Sequence, residues 1–163
     1  MPDITPNDLD AIDCTMLEHL QDDCRITISQ LAETIHLSQT PCWRRLKKME
    51  ESGLIEGYRA NIDKNKAGYT VVGFSQVSLN DHTPENTDQF EAIIHRFDWV
   101  LMCYCTAGSA DYILKIVARS LDELYDRVTE IRRIRSVGSI ETSVGIKEIK
   151  STTKLPMRPT KMR

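Results

Sequence analysis

The order of elements after residue 70 constrains the fold of this chain more than any other feature. Four segments alternate apolar and polar residues or are rich in β-branched residues, as strands are: TVVGFSQVSL, VLMCYCTA, DYILKIVA and SVGSIETSVGIKEI. Two others, PENTDQFEAIIHRF and LDELYDRVTEIRRI, carry one apolar stripe at helical spacing. The resulting order β-α-β-β-α-β predicts the ferredoxin-like split motif.

Such a sheet has two faces, and the two helices cover only one of them. The first strand carries no charged residue on either face between Val71 and Val77. We therefore expect a second copy of the chain to cover the open face, which predicts a homo-oligomer.

The first third of the chain has a helical period instead. Its first predicted helix places apolar residues three and four apart: Leu9, Ile12, Met16, Leu17 and Leu20. A second helix begins at a capping box formed by Thr27 and Gln30, and a third begins after Ser38 and ends at Gly53. The last two, joined by a turn of about four residues, form the helix-turn-helix pattern.

The third predicted helix has an apolar side and a basic side. Cys42, Leu46 and Met49 share one side and should pack against the first two helices. The rest of the surface, with Trp43 and Arg45 at its edges, carries Gln39, Thr40, Trp43, Arg44, Arg45, Lys47 and Lys48. Because the whole chain has a formal net charge of −3, this basic patch is a local anomaly. It is typical of a recognition helix, although basic helix faces are often merely solvated.

The remaining segments set the predicted domain limits. Apolar residues alternating between Leu54 and Ile62 predict a short strand or two beside the helices, and DKNKAG predicts a linker. We predict a helix-turn-helix domain over residues 1–63, a linker over 64–69, a second domain over 70–157 and a tail over 158–163. From Lys147 on, six basic residues against one acid indicate a DNA contact or a solvated end, and the fraying of termini favours the second.

Composition excludes several classes of protein. There is no apolar run of about 18 residues, as a membrane span needs, and MPDITPNDLD lacks the pattern of a secretory leader, so we expect a cytoplasmic protein. Five scattered cysteines do not fit a disulfide framework, and neither a metal nor a cofactor is expected. Cys103 and Cys105 share one face of a strand and are expected to be buried.

Several motifs, in order, resemble the Lrp/AsnC family of bacterial and archaeal transcription regulators. The resemblance spans nearly the whole sequence, from LDAIDCTMLEHLQDDCRITISQLAETIHLS through RRLKKMEESGLIEGYRANID to GSADYILKI and TTKLPM. It implies an α+β fold: an N-terminal winged helix-turn-helix domain of three helices and a C-terminal ferredoxin-like βαββαβ sandwich that senses a ligand. It also implies sheet-to-sheet dimers that assemble into octamers on double-stranded DNA.

The resemblance further implies an effector, usually an amino acid bound between dimers near GSADY, with leucine, methionine and cysteine as the first candidates. TPCWRR and TTKLPM resemble a proteobacterial branch that includes cysteine-responsive regulators. By position, the resemblance implies a DNA-facing set of Gln39, Thr40, Trp43, Arg44, Arg45 and Lys48. The implied effector set is Thr106, Gly108, Asp111, Tyr112 and Thr142.

The effector set agrees with residue chemistry. Gly108 permits close approach of a ligand to the backbone, and Asp111 offers a carboxylate to an ammonium group. Ordinary turn chemistry is the other interpretation of Asp111.

Three other functions compete with an amino-acid-responsive DNA-binding regulator. One is an architectural regulator that binds DNA without a ligand, and another is an amino-acid-binding interaction module without DNA binding. The intact basic helix argues against the second. An enzyme is the third, but no glycine-rich phosphate loop is present. The four histidines are also scattered along the chain, at His19, His36, His82 and His95.

Overall fold

In the computed structural model, which describes residues 9–159, the chain forms two units. The first comprises the described residues up to Asn61 together with those from Ser151 on, and the second runs from Ile62 to Lys150. The chain therefore leaves the first unit once and returns to it. Residues 1–8 of the predicted first domain and 160–163 of the predicted tail lie outside the described residues.

The first unit contains three helices: α1 (Ala11–Asp22), α2 (Ile28–Thr34) and α3 (Gln39–Glu51). The predicted capping box of α2 is confirmed, because Thr27 accepts a hydrogen bond from the Gln30 backbone and the Gln30 side chain accepts one in return. A second capping box, between Asp10 and Asp13, starts α1. Ser38 is the N-cap residue of α3, although its side chain forms no capping hydrogen bond.

The helices of the first unit pack around a small apolar core. Its buried members come from all three helices and the turn after α2: Met16, Leu17, Leu20, Leu31, Ala32, Ile35, Cys42 and Met49. The strands predicted between Leu54 and Ile62 are wrong for this structure, since this described segment has no strand. An extended segment becomes a strand only when another strand pairs with its N–H and C=O groups.

The end of the described chain packs on α1. The Leu155 N–H donates to Gln21 Oε1 over 2.6 Å, and Gln21 Nε2 donates to the Leu155 carbonyl over 3.1 Å. Lys154 Nζ lies 2.5 Å from an Asp22 carboxylate oxygen, and Met157 packs against the core of the first unit. These contacts explain why residues 151–157, which we assigned to the second domain, belong structurally to the first unit. Residues 151–156 are nevertheless exposed, so the interpretation as a solvated end stays a prediction.

The second unit is a four-stranded antiparallel sheet with two helices, in the predicted order β-α-β-β-α-β. Its elements are β1 (Val71–Leu79), α4 (Pro84–Ile94), β2 (Val100–Cys105), β3 (Tyr112–Ala118), α5 (Leu121–Arg132) and β4 (Val137–Val144). The strands lie side by side in the order β2-β3-β1-β4. The ferredoxin-like arrangement predicted from the sequence is thereby confirmed.

The two faces of the sheet differ in burial. Ser75 and Val77 of β1 are fully buried on the helix side, whereas Phe74 on the opposite face is 44% exposed. Tyr104 of β2 shares the open face with Phe74, because it pairs with Ile113, which in turn pairs with Gln76. The open face therefore presents aromatic side chains to its surroundings.

Cys103 and Cys105 are exposed, so the prediction that they are buried is wrong. They do share a face of β2, but β2 is an edge strand of the sheet. Partial desolvation by the surrounding side chains, helped by Glu91 and Cys105, raises the pKa of Cys103 to about 11. This thiol is therefore protonated at neutral pH.

Candidate functional site

The orientation of α3 follows from its apolar residues. Cys42 is fully buried and Met49 is 2% exposed, and both belong to the core of the first unit. The side chains about half a helical turn away must then face outward. Thr40, Arg44 and Lys48 are exposed on that side. The predicted DNA-facing residues thus lie on a helix whose orientation is set by the residues that it buries in the core.

Arg45 departs from the rest of the predicted DNA-facing set. Its Nη1 atom lies 2.8 Å from a carboxylate oxygen of Asp10 and 2.8 Å from one of Asp13. Its hydrogen bond to Asp13 raises the pKa of Arg45. Partial burial alone would raise the pKa of Asp10. The Asp13 N–H and the Arg45 guanidinium outweigh it, so the pKa of Asp10 is lowered. Arg45 therefore joins α3 to the start of α1 rather than presenting a free charge.

Two more residues of α3 have partners within the unit. Gln39 Nε2 donates to the Ser29 hydroxyl over 3.2 Å, which links the starts of α3 and α2. The Lys47 ammonium lies 5.4 Å from the ring centroid of Trp43 and 3.5 Å from a Glu51 carboxylate oxygen. These contacts hold the side of α3 that contains Trp43 in a defined arrangement.

Arg44 and Lys48 differ from Arg45 in having no ion pair within the described part of the chain. Both are exposed and lie four residues apart on the outer side of α3. A pair of cations without internal carboxylate partners is suited to an external anion. The structure thus divides the four basic residues of the patch into Arg45, which holds the helix, Lys47, which pairs with Glu51, and two cations that face outward.

The predicted effector turn connects β2 to β3. Thr106 Oγ1 donates to the Ala110 carbonyl over 2.7 Å, and the Thr106 N–H donates to the Asp111 carbonyl over 2.8 Å. A Cβ atom built on Gly108 would meet no other heavy atom within 4 Å, so the tip of the turn borders open space. The two hydrogen bonds close the turn at its base and leave this tip accessible.

The two carboxylate oxygens of Asp111 have different surroundings. Its Oδ2 accepts a hydrogen bond from the Leu79 N–H over 2.7 Å, which ties the turn to the end of β1. Its Oδ1 lies 3.9 Å from His82 Nε2, and the side chain is 29% exposed. Turn chemistry, the other interpretation of Asp111, therefore accounts for one carboxylate oxygen only.

Tyr112 and Thr142 are placed differently from the turn residues. Tyr112 is 2% exposed, and its hydroxyl donates to a Glu91 carboxylate oxygen over 2.9 Å. Burial, followed by the hydrogen bond to Glu91, raises the pKa of Tyr112. Thr142 lies on β4, where its hydroxyl is 2.8 Å from that of Ser75 on the neighbouring β1. Both hydroxyl groups therefore have partners inside the second unit.

Comparison with known proteins accounts for both units. Residues 72–155 match the Lrp/AsnC ligand binding domain, and residues 9–56 match a winged helix-turn-helix DNA-binding family. The leucine-responsive regulatory protein of Rhizobium meliloti is 37% identical over 144 residues, which cover 88% of this chain and 92% of that protein.

The chain belongs to the Lrp/AsnC family.

Other members resemble this Lrp/AsnC protein along most of its length. The DNA-binding transcriptional activator DecR of Escherichia coli K12 is 32% identical, with 91% of this chain and 99% of the activator covered. A transcriptional regulator from Neisseria meningitidis, solved as a complex with L-methionine, is 30% identical with a TM-score of 0.87 and covers 91% of this chain and 96% of its own. The Lrp/AsnC protein is accordingly a DNA-binding transcriptional regulator.

Each candidate site lies within one of the two matched regions. The helix-turn-helix match includes α3 together with its partners Asp10 and Asp13, and the ligand-binding match includes the turn from Thr106 to Asp111. Within residues 9–159, no three metal-binding side chains come together. No helix in that range has the length and apolarity needed to cross a membrane.

Sequence reasoning missed three carboxylates that contact predicted site residues of this Lrp/AsnC regulator, namely Asp10, Asp13 and Glu91. The spacing of Asp10 and Asp13 does indicate a capped helix start, which was a usable signal, but it does not reveal the arginine between them. Glu91 gives no signal at all, since a carboxylate in an amphipathic helix is usually solvated. Its contact with Tyr112 depends on how α4 packs on the sheet.

Proposed function

We propose that this regulator binds DNA through the outer side of α3, with Gln39, Thr40, Trp43, Arg44 and Lys48 facing the nucleic acid. The observation that carries the proposal is the division of the basic residues in α3: Arg45 is held by two carboxylates, whereas Arg44 and Lys48 have no ion pair in the described chain. Free cations suit phosphates, and short polar side chains at the helix start suit base edges. We assign Arg45 to holding α3 against α1.

A gel-shift titration with the DNA upstream of the protein's own gene tests this interface. Arg44→Ala should weaken binding about tenfold or more, because charge-assisted hydrogen bonds contribute about 1.5 to 3 kcal/mol. The slope of log affinity against log salt should become shallower by roughly one per lost phosphate contact. Lys66→Ala, which removes an exposed cation of the second unit, is the matched control. Equal affinity and slope for Arg44→Ala and wild type would contradict the assignment.

We further propose that a free α-amino acid binds at the turn between Thr106 and Asp111. The Asp111 side chain is 29% exposed and its Oδ1 lies 3.9 Å from His82 Nε2, so this oxygen can accept from an ammonium group, and the open space at Gly108 leaves room for the ligand. The similar Neisseria regulator was solved with L-methionine, and the similar Rhizobium regulator is named leucine-responsive, so methionine and leucine are tested together with cysteine, which the sequence resemblance implies. Tyr112 and Thr142 then shape the site from within the sheet, through their bonds to Glu91 and Ser75.

Calorimetric titration of the three amino acids into wild type and Asp111→Asn tests the effector site. The amide oxygen of asparagine can still accept from the Leu79 N–H, so the turn should keep its shape. Loss of the negative charge should weaken binding about tenfold to a hundredfold. Asp81→Asn changes an exposed neighbouring carboxylate and should bind as wild type does. Equal affinity in Asp111→Asn and wild type would remove Asp111 from the site.

The same proposal extends to assembly. We propose that two copies pair through the open sheet face, which exposes Phe74 and Tyr104, and that dimers assemble further, as far as an octamer. An effector bound at a subunit boundary then favours one assembly through its differential affinity. Phe74→Glu should shift the wild-type species in sedimentation velocity toward monomer. The proposal includes no catalytic step, and it places the regulator with the DNA in the cytoplasm.

A further inference from the structure

Trp43 is the one large hydrophobic side chain that α3 leaves exposed. Trp43 is 51% exposed, whereas the same helix buries Cys42 and Met49 in the core. Tryptophan is enriched at interfaces because its ring offers a large apolar area together with one N–H donor, so an exposed tryptophan beside the proposed DNA-binding cations is suited to contact with another molecule. No other side chain of α3 offers a comparable apolar area.

The free protein already orients this indole ring. The Lys47 ammonium lies over it at 5.4 Å from the ring centroid, one helical turn further along. Glu51 in turn lies 3.5 Å from Lys47. A ring held in place before binding loses less conformational freedom on association than a mobile one. The Trp43 ring therefore has a defined orientation before a partner binds.

The chemistry of indole limits what Trp43 can recognise in DNA. Its ring has one N–H donor and no acceptor, so it cannot form the paired hydrogen bonds with which arginine or asparagine discriminate bases. In the major groove, the apolar group that distinguishes one base from the others is the C5-methyl of thymine. Trp43 also lies in the N-terminal half of α3, the part of a recognition helix that reaches base edges.

We propose that Trp43 is a specificity-determining residue that packs its exposed ring on thymine C5-methyl groups in the major groove. The inference rests on the proposed DNA-binding role of α3. Arg44 and Lys48 then supply affinity for any sequence through phosphates, whereas Trp43 selects sites with thymine at the contacted positions. Each half-site bound by a dimer would present one such contact.

The test compares two forms of the same DNA. The region upstream of the gene is amplified once with thymidine triphosphate and once with deoxyuridine triphosphate, which removes the thymine methyl groups outside the primers. Wild type should bind the uracil probe more weakly, by about fourfold for each methyl group that it buries. Trp43→Ala should bind both probes equally, with an affinity close to that of wild type for the uracil probe.

Two further variants separate this inference from the proposal beneath it. Arg44→Ala should lose affinity for both probes by the same factor and keep the wild-type preference for thymine. Thr40→Ser removes the other methyl group on the outer side of α3 and should also keep that preference. The inference is overturned if wild type binds both probes equally, if Trp43→Ala keeps the preference, or if only Thr40→Ser loses it. Failure of wild type to bind either probe would instead overturn the proposed interface, and the inference with it.

Discussion

The two units of this regulator are stabilised in different ways. The second unit encloses 13 buried residues between its sheet and helices, whereas the core of the first contains eight among the described residues. Around this smaller core, the first unit has polar contacts between distant segments, namely Arg45 between two aspartates and the Gln21 amide paired with the Leu155 backbone. A small set of helices buries a smaller share of its surface, so such contacts carry a larger part of its stability.

The comparison also separates stability from recognition. In the first unit, neighbouring arginines on one helix have different roles, because Arg45 has carboxylate partners and Arg44 has none in the described chain. In the second unit, Asp111 has one oxygen bonded to the Leu79 N–H at the end of β1 and the other 3.9 Å from His82 Nε2, and the proposed effector site would add recognition to this structural contact. The two tryptophans allow each unit to be followed separately, since Trp43 lies in the first and Trp99 in the second.

The largest effect is expected for the core of the second unit. Phe90 is fully buried, with its ring centroid 4.6 Å from that of Tyr112. Phe90→Ala should lower the free energy of unfolding by about 3 to 5 kcal/mol, because it leaves a cavity. Urea titration of a Trp43→Phe background, followed by Trp99 fluorescence, measures the change. Tyr125→Ala, at a residue 68% exposed on α5, is the control and should change it by about 0.5 kcal/mol or less.

A smaller loss is expected when the returning segment is removed from the first unit. A chain ending at Lys150 lacks both hydrogen bonds between Gln21 and Leu155 and the packing of Met157. The free energy of unfolding of the first unit should fall by about 2 to 3 kcal/mol, measured by urea titration followed by Trp43 fluorescence in a Trp99→Phe background. Lys154→Ala removes only an exposed ion pair and should cost less than about 1 kcal/mol. An unchanged first unit in the truncated chain would show that the segment lies on α1 without stabilising it.

These contacts mark what could and could not be predicted from the sequence. Caps and apolar stripes are local, so Thr27 with Gln30 and the inner side of α3 were readable from spacing alone. The contact between Gln21 and Leu155 joins residues 134 positions apart, and no local pattern encodes it. Likewise, alternation placed Cys103 and Cys105 on one face, but it does not show that β2 lies at the edge of the sheet.

Arg45→Ala should separate the two roles of the basic patch. It removes the partner of Asp13, whose side chain is 12% exposed, and should destabilise the first unit by about 1 to 2 kcal/mol, since Arg45 itself is partly solvated. The salt dependence of DNA binding should stay as in wild type at temperatures where the variant is folded. Arg44→Ala should show the opposite result, with a shallower salt slope and unchanged stability. A shallower slope for Arg45→Ala would mean that this arginine leaves its aspartates to contact phosphate.

The smallest effect concerns pH and depends on the same contact. The pKa of Asp10 lies below its usual value of 3.8 in the folded chain, because the Asp13 N–H and Arg45 outweigh the effect of burial. A carboxyl whose pKa is lowered on folding contributes stability above its unfolded pKa, and this contribution disappears as the pH falls through the folded pKa. The first unit should therefore lose stability as the pH falls below about 4. Other carboxylates add to that loss, so the informative quantity is the difference between wild type and Arg45→Ala in the Trp99→Phe background. That difference should shrink as Asp10 is protonated, whereas a constant difference between pH 7 and pH 3 would mean that Arg45 stabilises the unit without its charge.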